Sequence, residues 1–401
     1  MAKKDKKTAR RGRGEGAVYL RKDGRWSGSI DMEVTDGKRK RKYFYGETKQ
    51  EAQDKVNTAL YEQKQGMLAT GPQQTLKKHL EHWLEHVHKH HIRISTYYKY
   101  RSALRKHIIP ALGHIQLQKL TSTHIEAFYS RKIEEGLAPE TINGFHGLLH
   151  NALSHAMVQN LVSKNVCDAV SPPRIIKHEV TPLTVDQSRT LLLHAKGHRI
   201  LEAMIALTMT SGMRRGELLG LKWQDINFTD GSLQIRRTVG RVGTFGLRES
   251  EPKTPSSRRK IMLPKFVIKA LEQHRERQNE ERLKAGASWR DFNLVFTNTH
   301  GGHIEPAHLN AWFTNLLKEA GLPHIRFHDL RHGVATFLLA IGVPAKVVQE
   351  LLGHSQISMT MDTYSHVLPS MQKEAMDKLD TMFGLNQDKE SNNGDAGENG
   401  M

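Results

Sequence analysis

Apolar and polar residues alternate along AVYLRKDGRWSGSIDMEVTDGKRKRKYFYG, which begins at Ala17 and carries turn signals at Lys22-Asp23-Gly24 and Thr35-Asp36-Gly37. A period of two sends successive side chains to opposite faces, so the segment is predicted to be a three-stranded antiparallel meander. The period then lengthens. From Lys49 to about Gly66, Ala52, Val56, Ala59 and Leu60 fall on one helical face, with Thr48 placed to cap the first turn. One helix laid on a small sheet leaves the other sheet face open, and the expected occupants of that face are Arg25, Trp26, Lys38, Arg39, Lys40 and Lys42, with Tyr43 as the alternative aromatic.

After the break MLATGPQQ, residues 74–170 read as helical throughout. Leu76, Leu80, Trp83, Leu84 and Val87 form one stripe, Ser95 is the expected cap of a second helix, and two more helices fit Thr123 to Glu135 and Pro139 to Gln159. SPPRIIKHEVTPLT follows, a linker over 171–182 stiffened by prolines. Residues 183–384 are predicted to be mainly helical, with GSLQIRRTVGRV and SSRRKIMLP pairing as strands. The tail 385–401 is polar and expected to be disordered. The fold class is thus multidomain α+β: a three-stranded sheet with one helix, a four-helix domain, and a mainly helical domain with a small antiparallel sheet.

Charge adds the partner. A net charge of +18 and a pI near 9.8 point to an anion, and clustered Lys and Arg most often mean nucleic acid. A β-ribbon fits a major groove. The leader MAKKDKKTARRGRG, an arm of residues 1–15, reads as a phosphate contact and lacks the apolar region of a signal peptide. One cysteine, Cys167, excludes a disulfide framework, and no apolar run approaches the ~18 residues of a membrane span. His79, His82, His86, His88, His90 and His91 crowd one region, but no carboxylate or cysteine is patterned with them; they read as a solvated or phosphate-facing stripe, with no metal. A cytoplasmic, nucleoid-associated protein of a bacterial host is the expectation.

Two segments carry chemistry. In TSGMRRGELLGLKWQDINF, Arg214 and Glu217 share a helical face. In RFHDLRHGVATFLLAIGVPAKVVQELLGHSQISMTMDTYSH, His328 and Arg331 stand one turn apart, His354 follows Gly353, and Tyr364 stands isolated beyond. An arginine fork grips phosphate oxygens, imidazoles donate to others, and a tyrosyl hydroxyl can attack phosphorus. Each motif alone is commonplace, but their conjunction in one order is not.

Together they resemble the two catalytic boxes of the tyrosine recombinases, the phage and transposon integrases. That resemblance implies Arg214, Lys253, His328, Arg331, His354 and Tyr364 as the catalytic set, with Glu217 supporting Arg214. Lys253 is the mobile-loop lysine by its Pro-Lys-Thr context, with Lys260 and Lys222 as nearby alternatives. Residues 16–66 resemble the arm-type DNA-binding domain and 74–170 the core-binding domain, where Tyr97, Lys99, Tyr100, Arg101, Arg105 and Lys106 are the candidate contacts. The implied reaction proceeds through a 3′-phosphotyrosyl ester without metal or nucleotide cofactor. The implied partners are double-stranded DNA at core-type and arm-type attachment sites, three further protomers in a tetramer, and an excisionase or a host DNA-bending protein. Met371, Ala375, Leu379 and Met382 form a stripe suited to docking on a neighbouring protomer. A resolvase or invertase, a type IB topoisomerase and a catalytically silent regulator are the competing readings.

Overall fold

The alternation after Ala17 forms an antiparallel meander, β1 (Ala17–Leu20), β2 (Trp26–Asp31) and β3 (Arg41–Gly46), with β2 in the middle. In this computed structural model the described residues are 17–31, 41–64, 72–176, 181–252, 257–358, 361 and 376–382; the predicted turn at 35–37 and Lys38, Arg39, Lys40, Lys253 and Tyr364 lie outside them. The chain divides into two compact units, Met1–Lys177 and His178–Met401.

The Thr48 hydroxyl accepts from the Glu51 amide at 3.2 Å and opens α1 (Lys49–Lys64), whose Ala52, Val56 and Ala59 are buried as predicted. Strand register corrects the assignment of the open face. Ile30 pairs with Lys42 and Trp26 with Gly46, and Ile30 is buried with Val56, so Lys42 and Trp26 share the helix-covered face. The Lys42 ammonium lies 5.8 Å from the Phe44 ring centre and the Lys49 ammonium 5.8 Å from that of Trp26. An offset of one residue moves a whole strand's side chains across the sheet. The open face instead carries Tyr19, Tyr43 and Tyr45, each close to half exposed, with Arg41 beside them and the Arg21 guanidinium 5.4 Å from the Tyr45 ring. Arg25 sits in the β1–β2 turn, exposed and paired with Asp23.

In the helical part of this unit, the Thr75 hydroxyl caps α2 (Leu76–His82), which widens into a π-helical turn at Trp83–His88. Then come α3 (Ile94–Ala103), a second π turn, α4 (Ile109–Leu112), α5 (Ser122–Glu134) and α6 (Pro139–Val158). Arg93, not Ser95, occupies the N-cap of α3. Thr121 caps α5 in a reciprocal box with His124, and Pro139 opens α6 where its missing N–H costs nothing. Leu76, Leu80, Trp83 and Leu84 pack with Phe128, Phe145 and Leu149 in one core. His79 is buried there with its Nε2 2.9 Å from the Ala152 carbonyl oxygen, so it leaves the solvated stripe that the spacing suggested.

The second unit is built around α8 (Leu201–Ser211), apolar on every side and buried because α7 (Val185–Ala195), α10 (Lys265–Ala285) and α12 (Asp329–Ala340) pack around it. Between α8 and α12 lie α9 (Arg215–Leu219), β4 (Ile226–Asn227), β5 (Ser232–Gln234), β6 (Thr238–Arg241), β7 (Leu247–Ser250), β8 (Lys260–Met262) and α11 (Pro306–Glu319). GSLQIRRTVGRV does not form one strand: β5 joins β4 and β8 in one sheet, while β6 turns away to pair with β7. Helix α13 (Ala345–Leu352) follows α12, and Leu352 and Val348 pack against Val334 and Leu339.

Candidate active site

The site begins at the end of α8. Gly212 caps that helix at φ 58°, a left-handed conformation that glycine adopts without penalty, and a side chain here would also meet Leu352. The turn delivers Arg214 as N-cap of α9. Its amide donates to Glu217 Oε2 at 3.0 Å and its Nη1 to Glu217 Oε1 at 2.9 Å. Glu217 is buried, and desolvation by itself raises its carboxyl above the ordinary value. Arg259, Arg214 and the Arg214 amide outweigh that cost and hold its carboxyl below the ordinary value.

Three guanidiniums then converge on one helix end. Arg259 Nε donates to the Leu351 carbonyl at 2.6 Å, Arg331 Nη2 to Leu352 at 2.7 Å and Arg214 Nη2 to Gly353 at 2.9 Å. These are the last carbonyls of α13, which have no partner within the helix and lie at its negative end. Gly353, at φ 67°, turns the chain so that its own oxygen joins the row. Arg331 is buried and reaches back from α12 to donate through Nη1 to the Gly212 carbonyl at 2.5 Å. Against these three cations stands Glu217, in contact with Arg214 and Arg259, so the cluster holds a surplus of positive charge. Burial, then Arg214 and Arg259, push the Arg331 guanidinium down to about 9. It stays charged at neutral pH.

Two imidazoles border the cluster. His328 caps α12 and His354 follows Gly353. Burial and then Arg331 are the first two causes lowering both to about 4; Arg214 adds to each, His332 acts on both and Arg259 also on His354. His354 is buried, whereas the His328 side opens to solvent, where water tempers the shift. Both are therefore neutral at neutral pH in the DNA-free protein, able to accept a proton or donate one hydrogen bond. Free histidine titrates near 6.5. Between about 6.5 and 4 the unfolded chain binds more protons than the folded one, so stability falls as pH falls through this window. Melting of the DNA-free chain should show that fall, and His354→Gln should flatten part of it; an unchanged pH profile in the variant would contradict the assignment.

A cleft of about 540 Å³ opens beside Arg214 and His328, lined also by Arg215, Asn310, Thr314 and His324. Arg215, the neighbour of Arg214, bonds Asn310. Of the alternatives to Lys253, Lys260 is paired with Asp230 at 3.0 Å and Lys222 with Glu249 at 3.0 Å. Lys253 and Tyr364 lie outside the described residues, but of the chain's nine tyrosines Tyr364 alone falls within the second unit.

Arg259 is the residue that sequence reasoning missed. Its signal was present in the pair Arg258-Arg259 just before β8, where neighbouring side chains of extended backbone point to opposite sides, and Arg259 is buried against Glu217. In the first unit the proposed DNA contacts divide. Tyr97 is buried and donates to Glu85 at 2.6 Å, so it is a core residue and not a contact. Lys99, Arg105 and Lys106 are exposed, and Tyr100 and Arg101 half-buried. Lys99 and Tyr100 line a cleft of about 630 Å³ with Gly144, Gly147 and Asn151 of α6.

The phage integrase family matches residues 182–371, and the phage integrase N-terminal SAM-like domain matches residues 75–133. A tyrosine recombinase XerC-like protein of Caldanaerobacter subterraneus subsp. tengcongensis is 32% identical over 366 residues, spanning 87% of this chain and 93% of its own. The Tn1549 transposon integrase in complex with a circular intermediate DNA has a similar fold, with a TM-score of 0.62 at 22% identity over 76% of this chain and 99% of that one. A lambda integrase tetramer bound to a Holliday junction aligns with a TM-score of 0.52 at 21% identity, covering 88% of this chain and 96% of its own. Among the described residues no helix is long and apolar enough to cross a membrane, and no cluster of His, Cys, Asp and Glu is arranged to hold a metal ion.

Proposed function

The chain belongs to the phage integrase family of tyrosine recombinases, and from that premise we propose that it integrates a mobile element by cutting and rejoining DNA through Tyr364. The observation that carries this reading is the cluster of Arg214, Arg259 and Arg331 around one carboxylate. Attack of a tyrosyl oxygen on a phosphodiester gathers negative charge on the equatorial oxygens of a five-coordinate phosphorus, and preorganised donors with surplus positive charge stabilise that state.

Arg214 and Arg331 face the phosphate in this scheme. His354 donates to it, and neutral His328 takes the phenolic proton from Tyr364. Lys253 protonates the departing 5′-oxygen, leaving a free hydroxyl and a 3′-phosphotyrosyl ester that conserves the energy of the broken bond. The charge is supplied by side chains, so the reaction as read runs without metal or nucleotide cofactor. A duplex nicked near the cleavage point, which lets the 5′ end drift away, should trap the protein covalently in the presence of EDTA. Adduct formation that required added magnesium would point to another enzyme class.

The first unit supports the integrase reading over a resolvase. The open face of the meander, with Tyr19, Tyr43, Tyr45, Arg21 and Arg41, presents aromatic and basic groups, and β-strands of this kind can enter a major groove. Residues 16–66 read arm-type sites in this proposal, and the helices of 74–170 hold the core site through Lys99, Tyr100, Arg101, Arg105 and Lys106. Deleting residues 1–66 should remove arm-site protection in footprinting while core cleavage persists. Identical footprints would move the resolvase reading ahead. Assembly into a tetramer on two DNA sites fits the exposed Leu379 and Met382 of the helical turn at 376–382; Met371 and Ala375 lie outside the described residues. Action on the bacterial nucleoid, and direction set by an excisionase or a DNA-bending protein, complete the proposal.

A further inference from the structure

We infer that Arg259 is a positioning residue that locks the C-terminal turn of α13 to the catalytic arginines, setting Arg214 for the phosphate. The inference rests on the recombinase reading above. Arg259 does two things at once. Its Nε holds the Leu351 carbonyl at 2.6 Å, and its terminal nitrogens hold Glu217, Nη2 to Oε2 at 3.2 Å and Nη1 to Oε1 at 3.4 Å. A further bond from Nη1 to the Ser257 carbonyl at 3.3 Å ties it to the turn that precedes β8. Glu217 in turn grips Arg214, and Arg214 donates to the Gly353 carbonyl two residues beyond Leu351. The four groups close a ring: Arg259, Glu217, Arg214 and the α13 terminus, each fixed by two neighbours.

The ring matters because Glu217 is shared. A carboxylate has lone pairs for two guanidiniums, and a buried one bound to a single arginine would draw it into a two-pronged grip. With Arg259 occupying its other side, Glu217 meets Arg214 through Nη1, while Nη2 is turned to the helix end. Without Arg259, Glu217 would take Arg214 more fully and rotate its fork away from that direction. The Leu351 carbonyl would lose its donor as well, loosening the turn that carries His354 and leads on to Tyr364. Arg259 touches neither phosphate nor tyrosine in this scheme and works through both Arg214 and the turn.

The test uses the full-length protein and a nicked duplex bearing a cognate core site. Adduct formation is followed under single-turnover conditions at saturating protein, which separates the rate constant from the fraction that reacts; binding to an uncut core duplex is measured in parallel. Arg259→Lys keeps the charge but cannot span Glu217 and Leu351 together. Arg259→Met removes the charge and keeps the bulk. A displaced reacting group costs a rate constant about 100-fold. Both variants should show a fall of that order in the rate constant, with core-site affinity within about twofold of the parent. A variant that folds poorly lowers the reacting fraction, not the rate constant of the molecules that react. A parental rate constant in Arg259→Lys, or a loss confined to reacting fraction or to affinity, would overturn the inference. An unmodified protein that forms no adduct would instead overturn the recombinase reading itself.

Discussion

The Arg331→Ala protein should bind its core site and yet form adduct about 10²- to 10³-fold more slowly than the parent. A single preorganised donor to a transition-state oxyanion is worth roughly 3 to 4 kcal/mol, and Arg331 works from a buried position where its charge is little screened. The substitution also strips donors from the Gly212 and Leu352 carbonyls, which hold α8 and α13 together at the site. Arg331→Lys tests which loss dominates. A lysine keeps a point charge but cannot bridge two carbonyls with one planar group, so it should recover only a small part of the rate. Single-turnover adduct formation on the nicked duplex measures both, and activity within tenfold of the parent in either variant would remove Arg331 from its role.

Tyr364→Phe should abolish the adduct altogether while leaving binding intact, since only one oxygen atom is lost. Two of the other tyrosines are already engaged. Tyr129 is buried, which raises its hydroxyl well above the phenol range and leaves it directed at His146. Tyr97 is raised by burial and by its hydrogen bond to the Glu85 carboxylate. Both lie in the first unit, as do Tyr19, Tyr43, Tyr45, Tyr61, Tyr98 and Tyr100. Mapping the DNA-linked peptide decides the matter: an adduct on any of these, or one surviving in Tyr364→Phe, sinks the assignment.

What was legible in the sequence was what local spacing determines. Arg214 and Glu217 are three residues apart and do bond, Thr48 and Thr121 do cap, and the alternation after Ala17 does fold as a meander. The errors arose where a distant partner chose between two local possibilities. Trp26 and Lys42 were assigned to the wrong sheet face because register, set by β2 pairing with β3, was needed to tell odd positions from even. Tyr97 reads as a DNA contact from its basic neighbours, but Glu85 on the preceding helical segment claims its hydroxyl. Arg259 looked like one of many basic strand residues because its two partners, Glu217 and Leu351, are 42 and 92 positions away.

Those separations bear on how the protein comes to life during synthesis. The bonds that assemble the arginine cluster join Arg214 to Gly353 across 139 positions, Gly212 to Arg331 across 119 and Arg259 to Leu351 across 92. Contacts between such remote points form late, because the loop between them must already be ordered before closing it is repaid. A ribosome that has delivered α8 and β8 has made Arg214 and Arg259 but not the helix end that holds them. The nascent chain thus carries no assembled arginine cluster until α13 has emerged.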